Sequence, residues 1–184
     1  MRIELSRDWN EFLSLLTSRR VRFLVVGGHA VAGHGEPRLT EDLDVFVEPT
    51  RANAVRLRRA LVEFGFGEAA PSAARLAVPG KIWMLGRKPW RIDVLTRIDG
   101  VTFAQAWRGR VQTQFAHGHL FVIGRNELIA NKRASGRERD LRDVAMLEAL
   151  PPAREPALRA SDRARASSLR QGSLRKSPSR RRRA

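Results

Sequence analysis

Residues Asp42–Val47 read Asp-Leu-Asp-Val-Phe-Val, and this alternation of acidic and apolar side chains predicts a β-strand. Successive side chains of a strand point to opposite faces, so Asp42 and Asp44 share one face while Leu43 and Val45 pack on the other. Two neighbouring carboxylates repel each other and destabilise the fold unless a cation neutralises them. The strand therefore predicts either a site for a hard divalent cation or a pair of surface aspartates.

The segments on either side alternate between helical and extended patterns, which predicts a mixed α/β (α+β) fold with a short mixed sheet flanked by helices. Upstream, the helical pattern of Trp9–Leu16 precedes the apolar run Val21–Val26, and a short helix is predicted to reach Ala32. Downstream, Thr50 is the predicted cap of a helix over Arg51–Phe64. The remaining predicted elements are strands at Ala74–Val78, Ile82–Leu85 and Arg91–Leu95, a hairpin over residues 110–123, and helices at Asn126–Ala134 and Arg137–Leu150.

The composition limits the classes of protein to consider. The chain has 184 residues, 42% of them hydrophobic, which is sufficient for one domain with a buried core. It has no cysteine, and this excludes disulfide scaffolds, thiol catalysis and cysteine-ligated zinc. Charged residues interrupt Met1–Asn10, and no apolar run is long enough to cross a bilayer. We therefore expect a cytoplasmic protein with no membrane partner.

The basic charge is concentrated near the C-terminus. The formal net charge is +16, and Pro151–Ala184 contains 11 Lys and Arg residues against 2 acidic ones. Pro151-Pro152 ends the apolar periodicity, so we expect a folded domain over residues 1–150 and a disordered Arg/Ser-rich basic tail over residues 151–184. The block Arg180–Arg183 either adds phosphate affinity or is a solvated appendage, and we assign it no catalytic role.

A candidate phosphate site precedes the acidic strand. Gly27 and Gly28 end a strand and begin a helix, with 13 residues between them and Asp42. Glycines let the backbone approach a phosphate, and free N–H groups at the start of a helix attract its charge, although a Gly-Gly pair is also typical of a tight turn. Arg38 and Thr40 supply a guanidinium and a hydroxyl that either contact phosphate oxygens or cap the loop.

A third carboxylate follows in a later strand. In Arg91–Leu95, Asp93 points to one face while Ile92 and Val94 point to the other. Three carboxylates can hold two metal ions, one for the attacking hydroxyl and one for the leaving pyrophosphate. Asp93 is the candidate that aligns or deprotonates the acceptor.

Together these motifs resemble the nucleotidyltransferase superfamily typified by DNA polymerase beta, with its Gly-Gly or Gly-Ser, a gap, Asp-x-Asp and a later strand carboxylate. Val26–Ala30 and Arg38–Asp44 look like the small bacterial members, including the AbiEii-type toxins of type IV toxin–antitoxin systems. The resemblance implies the nucleotidyltransferase fold, Mg²⁺ or Mn²⁺ held by the three aspartates, and an NTP substrate. His29 departs from the pattern, because the better-known members have serine there.

The toxins also share a lysine followed by Arg-Asp-x-x-Asp, which is matched here by Lys132 and by Arg139–Asp143. A helical wheel places Asp140 in an apolar stripe, so it is predicted to be buried with Lys132 as its partner. Two interpretations remain open. Either Lys132 binds the triphosphate while Asp140 or Asp143 orients it, or these residues form a structural salt bridge between the last two helices.

Three tryptophans and two histidines admit a second interpretation. Trp83, Trp90 and Trp107 could stack on bases, but each lies in an apolar segment, which favours a place in the core. His117 and His119 could bind zinc from one face of the predicted hairpin, but no third ligand lies near them in sequence. A structural or solvent-facing role is favoured for the histidines.

The predicted function is a Mg²⁺-dependent nucleotidyltransferase that moves NMP from NTP to a hydroxyl and releases pyrophosphate. The basic surface favours RNA as acceptor, and the resemblance implies tRNA and a toxin or antitoxin role with a cognate protein partner. The alternatives are a non-catalytic module of the same fold that binds nucleic acid or a partner protein, and an antitoxin that nucleotidylates a protein. Four cations lie in or near the strand that carries the third carboxylate, and they either meet a polyanionic acceptor or are solvated: Lys81, Arg87, Lys88 and Arg91.

Overall fold

The computed structural model describes residues 5–35, 38 and 40–151. These residues form helices and strands that alternate along the chain. The helices are α1 (Arg7–Ser18), α2 (Gly27–Gly33), α3 (Arg51–Leu61), α4 (Ala73–Leu76), α5 (Phe103–Arg108), α6 (Arg125–Ser135) and α7 (Glu138–Ala149). The strands are β1 (Phe23–Val25), β2 (Asp42–Val47), β3 (Ile82–Leu85), β4 (Arg91–Leu95), β5 (Val111–Phe115) and β6 (Gly118–Val122).

The strands form one mixed sheet in the order β3-β4-β2-β1-β6-β5. At its centre, β2 pairs antiparallel with β1 and parallel with β4. The edge strand β3 is antiparallel to β4, and the β5–β6 hairpin joins the sheet through a parallel pairing of β6 with β1. The predicted mixed α/β fold, with a short mixed sheet flanked by helices, is confirmed.

The two faces of the sheet have different coverings. On one face, Leu43 and Val45 of β2 belong to a core cluster with Phe12 of α1 and Leu57 of α3. On the other face, Phe46 belongs to a second cluster, with Leu128 of α6 and Leu147 of α7 among its members. The acidic side chains of β2 lie on the same face as Phe46, because residues 42, 44 and 46 alternate with the core residues.

One buried polar residue fixes the position of α3 against β1 and β2. Asn53 is fully buried, and its Oδ1 accepts a hydrogen bond of 2.7 Å from the backbone N–H of Arg22. Its Nδ2 donates to the carbonyl oxygens of Arg22 and Glu48, each at 3.0 Å. These bonds satisfy backbone groups at the ends of both strands, so the helix cannot shift without leaving buried polar groups unpaired.

Some predicted boundaries were wrong. Ala74–Val78 is not a strand: Ala73–Leu76 forms the short helix α4, because the hydroxyl of Ser72 accepts from the backbone N–H of Arg75 and caps a helical turn. The predicted helix over Arg51–Phe64 ends at Leu61 and continues as a wider turn through Phe66, where Gly65 has φ 112°. Propensity alone did not distinguish these alternatives because the segments are short and apolar.

Two further expectations concern membrane-spanning helices and the basic tail. None of the helices in the described part of the chain is long and apolar enough to span a membrane. The predicted basic tail lies outside the described residues apart from Pro151, and the division into a domain over residues 1–150 and a tail over residues 151–184 stays a prediction.

Candidate functional site

The structure brings the three predicted aspartates together on one face of the sheet. Asp42 and Asp44 are two residues apart in β2, and the parallel pairing of β2 with β4 places Asp44 directly beside Asp93. Asp93 is 8% exposed, and Asp42 and Asp44 are half-buried. Sequence alternation predicts which face each aspartate occupies, and the strand pairing supplies their proximity.

The electrostatics of this cluster show strong mutual repulsion. The pKa of Asp44 is raised from 3.8 to about 7, first by burial and then by the neighbouring charges of Asp42 and Asp93, against opposing effects of Lys132 and Arg91. Burial also raises the pKa of Asp93, even though Arg91 donates to it. With a pKa of about 7, Asp44 has too little positive charge nearby to offset its burial and the charges of its two neighbours.

Arg91 is the cation that neutralises two of the three carboxylates. Its guanidinium forms ion pairs of 2.7 Å with Asp42 Oδ2 and 2.9 Å with Asp93 Oδ1. The sequence pattern presents Arg91 as one of several surface cations and does not single it out. The alternation of the strand nevertheless predicts that Arg91 lies on the same face as Asp93, because the two residues are two positions apart.

The donor set fits a divalent cation in its chemistry. Carboxylate oxygens on adjacent strands are the hard ligands that Mg²⁺ and Mn²⁺ prefer. In the described residues, no group of three or more Asp, Glu and His side chains is arranged to hold a metal ion. Arg91 occupies oxygens of Asp42 and Asp93, so entry of a metal ion requires Arg91 to release them.

The glycine pair has a packing reason that the sequence does not reveal. Gly27 has φ 64°, and a Cβ added there would lie 1.9 Å from Asp44 Oδ2. A Cβ on Gly28 would lie 2.9 Å from the Cβ of Thr40. The hydroxyl of Thr40 in turn donates to Asp42 Oδ1 at 2.9 Å. Both glycines therefore leave room for the residues of the acidic site, and their contact with phosphate stays a prediction.

His29 occupies the position at which the resembled family has serine. It is buried, and its ring packs edge-on against Trp9 with 4.9 Å between ring centroids. Burial lowers the pKa of His29 to about 4, despite the opposing charge of Asp42. The imidazole is therefore neutral at physiological pH, and it does not supply positive charge for a phosphate.

A second charge cluster joins the last two helices to the segment before β2. The ammonium of Lys132 pairs with Asp140 Oδ1 at 2.8 Å and with Asp143 Oδ2 at 2.6 Å, and Arg38 also pairs with Asp143. The predicted partnership of Lys132 and Asp140 is thus present. Burial was assigned to the wrong aspartate: Asp143 is 4% exposed, whereas Asp140 is half-buried and also accepts from Ser135.

The cations around Asp140 determine its protonation. Burial alone would raise the pKa of this carboxyl, but the hydrogen bonds from Lys132 and Ser135 outweigh burial, so the net pKa lies below 3.8. Burial lowers the pKa of Lys132, and Asp140 opposes that change. The cluster therefore holds ionised groups within the protein, which is stable only while the opposite charges stay together.

One cleft of about 660 Å³ connects the two clusters. Asp143 does not line this cleft. The cleft lining also includes three exposed arginines, Arg97, Arg137 and Arg139. Arg139 begins the Arg-Asp-x-x-Asp motif, whereas no sequence motif contains Arg97 or Arg137. The predicted site residues that line the cleft are Gly27, Gly28, Arg38, Thr40, Asp42, Asp44, Asp93, Lys132 and Asp140.

Comparisons with known proteins give little beyond this geometry. No protein-family model and no curated protein matches the chain. One solved structure that it resembles is an antigenic nucleotidyltransferase-like protein from Paracoccidioides brasiliensis, at 13% sequence identity and a TM-score of 0.46. The similarity covers 90% of this chain and 87% of the fungal one. Similarity at this level does not assign a family or an activity.

The buried charge of Asp44 should make stability depend on pH. Its folded pKa of about 7 exceeds the unfolded value of 3.8, so the folded protein retains a proton that the unfolded chain has lost. Without divalent cations, stability should therefore fall as pH rises from about 4 to about 7. One pKa unit corresponds to ~1.4 kcal/mol, so Asp44→Asn should stabilise the protein by up to about 4 kcal/mol at pH 8.

Urea unfolding between pH 5 and pH 8 measures this effect, with Asp99→Asn as the control because Asp99 is an exposed carboxylate of the same cleft. Asp99→Asn should keep the pH dependence of the wild type. Equal pH dependence in wild type and Asp44→Asn would show that Asp44 does not cause the pH dependence of stability.

Removal of Lys132 should be strongly destabilising. Lys132→Met leaves Asp140 and Asp143 without their shared cation in a buried setting, and we expect a loss of about 3 kcal/mol in the free energy of unfolding at pH 7. Arg133→Met is the matched control on the same helix, because Arg133 and its partner Glu148 are both exposed, and it should cost less than about 1 kcal/mol. Equal losses in the two variants would contradict a buried ion cluster.

Proposed function

We propose that the protein is a Mg²⁺-dependent nucleotidyltransferase that transfers NMP from an NTP to a hydroxyl group. RNA is the preferred acceptor. In the reaction, the hydroxyl oxygen forms a bond to the α-phosphorus of the NTP, the bond from that phosphorus to pyrophosphate breaks, and the hydroxyl proton goes to a base. The toxin–antitoxin role belongs to the same proposal and rests on the sequence resemblance alone, and the cytoplasmic location stays a prediction.

The observation that carries the proposal is the register of β2 and β4. It places Asp44 beside Asp93 and leaves Asp42 on the same face, so three carboxylates converge at one end of the cleft. Burial and the adjacent charges of Asp42 and Asp93 raise the pKa of Asp44 to about 7. Structural residues do not require such an arrangement, since an apolar or amide side chain at position 44 would remove the repulsion.

The roles of the side chains follow from their positions. Asp42, Asp44 and Asp93 would hold the metal ion, which when bound neutralises phosphate charge and makes the acceptor hydroxyl more acidic. Asp93 borders the edge of the sheet, and its raised pKa suits acceptance of the hydroxyl proton. Lys132 uses two donors on Asp140 and Asp143, so its third N–H can still donate to a triphosphate oxygen.

The charge of the cleft supports a polyanionic substrate. Arg97, Arg137 and Arg139 are exposed side chains in its lining, and Lys132 and Arg38 lie deeper. The exposed arginines are the cations that phosphates can approach most readily, since Arg38 and Lys132 already pair with Asp143 and Asp140. A nucleic acid acceptor would bring phosphates to these arginines.

One observation favours the alternative of a non-catalytic module that binds nucleic acid or a partner protein. Arg91 already neutralises Asp42 and Asp93 at distances of 2.7 and 2.9 Å, as a resident cation would in a protein that needs no metal. In that case Arg91 would stay in place at any Mg²⁺ concentration, and the cleft would bind polyanions without chemistry.

Transfer of label from NTP separates the two functions. The protein is incubated with each α-³²P-labelled NTP, Mg²⁺ and total RNA or cell protein, and Asp44→Ala and Asp99→Ala are assayed in parallel. We expect labelled RNA with wild type and Asp99→Ala, and a loss of at least about a hundredfold with Asp44→Ala, because a charged ligand of the reacting centre is removed.

Labelled protein instead of labelled RNA would support nucleotidyl transfer and show that the acceptor is a protein. No transfer in any pool, together with RNA binding that Asp44→Ala leaves unchanged, would reject catalysis in favour of the binding module.

A further inference from the structure

The edge strand β3 exposes apolar side chains beside the acidic cluster. Ile82 is 59% exposed and Met84 is 67% exposed, although the alternate residues Trp83 and Leu85 pack towards the core. The antiparallel register places Met84 next to Asp93 and Ile82 next to Leu95, so both side chains lie on the face that carries the carboxylates. Exposed apolar residues grouped beside a cleft are typical of a binding surface.

The turn that follows β3 adds an exposed aromatic ring. Trp90 is 54% exposed, contrary to the sequence-based expectation that it belongs to the core. Its ring packs edge-on against the buried Trp9, with 5.8 Å between ring centroids, which fixes the orientation of Trp90 while much of its surface faces solvent. An exposed, oriented indole is the kind of side chain on which unpaired bases stack.

The charge of the same segment selects the kind of partner. Residues 80–92 contain four cations and no acidic residue, and Lys81, Arg87 and Lys88 are exposed. Lys88 forms a 3.1 Å ion pair with Glu41, in which both side chains are more than half exposed and therefore able to exchange partners. Exposed cations that are near an exposed indole and exposed apolar side chains in the chain match a single-stranded nucleic acid, which offers both phosphates and base faces.

The position of this strip relative to the cleft suits an acceptor. In the sheet order, β3 lies beyond Asp93 of β4, whereas Lys132 interacts electrostatically with Asp44 of β2. Ile82 and Met84 therefore lie on the β4 side of the carboxylates, with Met84 next to Asp93. A triphosphate on one side and an acceptor hydroxyl on the other would meet at the acidic cluster, as displacement at the α-phosphorus needs.

We propose that Ile82, Met84, Trp90 and the cations Lys81, Arg87 and Lys88 form a docking strip for the single-stranded 3′ end of an RNA acceptor. As an acceptor site this rests on the proposed nucleotidyl transfer, whereas the binding of RNA to the strip can be measured without it. Bases stack on Trp90, the apolar side chains of β3 contact the neighbouring sugar and base, and the cations pair with phosphates.

Binding of a fluorescein-labelled single-stranded oligoadenylate of about twelve nucleotides to the full chain tests the strip by anisotropy. Trp90→Ala should weaken binding about tenfold, because one stacked base is lost, and Trp90→Phe should restore most of the affinity. Arg87→Ala should weaken binding and lower the slope of log K against log salt by about one.

The matched control is Arg59→Ala, an exposed arginine of α3 on the opposite face of the sheet, which should change the affinity less than about twofold. Thermal unfolding of each variant verifies that the fold is retained. Equal affinities of wild type, Trp90→Ala and Trp90→Phe, or equal losses in Arg87→Ala and Arg59→Ala, would overturn the docking strip.

A transfer assay on the same variants distinguishes the two proposals. If label still moves from NTP to RNA and Trp90→Ala has an unchanged KM for RNA, nucleotidyl transfer stands and the docking strip is wrong. If oligoadenylate binding depends on Trp90 but no NTP labels RNA or protein, the strip binds RNA and nucleotidyl transfer is wrong. Transfer to RNA with a KM that rises about tenfold in Trp90→Ala supports both proposals.

Discussion

The repulsion among Asp42, Asp44 and Asp93 is the constraint on which the rest of the site depends. The parallel pairing of β2 with β4 brings the three carboxylates onto one face, and burial limits the screening of Asp44 and Asp93 by water. Neighbouring residues accommodate this negative charge. Gly27 gives Asp44 the room that a Cβ would take, and Arg91 pairs with the other two aspartates.

The cations of the site differ in how firmly they are held. Lys132 is buried between Asp140 and Asp143, which fixes its ammonium near the acidic face. Arg91 is more exposed, and Arg91, Asp42 and Asp93 all line the cleft, where a divalent cation can displace a guanidinium from its carboxylates. This difference suggests that the lysine cluster is part of the permanent framework, while Arg91 balances the charge of the aspartates until substrate binds.

Much of this site follows from sequence because strand periodicity fixes the side of the sheet on which each residue lies. Asp42 and Asp44 could be assigned to one face from the sequence Asp-Leu-Asp-Val alone, and Asp93 from the same alternation in its own strand. Their proximity could not be assigned, because it depends on which strands pair, and that is a property of the whole chain.

The errors have equally local causes. Trp90 lies in an apolar segment and still remains 54% exposed, because it belongs to the turn between β3 and β4 and its ring packs edge-on against that of Trp9. Asp143, not Asp140, is the fully buried carboxylate, since burial in α7 depends on the position of Lys132 and Arg38 as well as on the apolar stripe. A helical wheel does not contain those neighbours.

The most direct measurement of the central claim is binding of Mn²⁺, followed by electron paramagnetic resonance in the presence of a non-hydrolysable NTP analogue. If Asp44 belongs to a metal and nucleotide site, the wild type and Asp99→Asn should bind the ion equally, and Asp44→Asn should bind it at least about tenfold more weakly. Equal binding of Mn²⁺ by the wild type and Asp44→Asn would contradict the account.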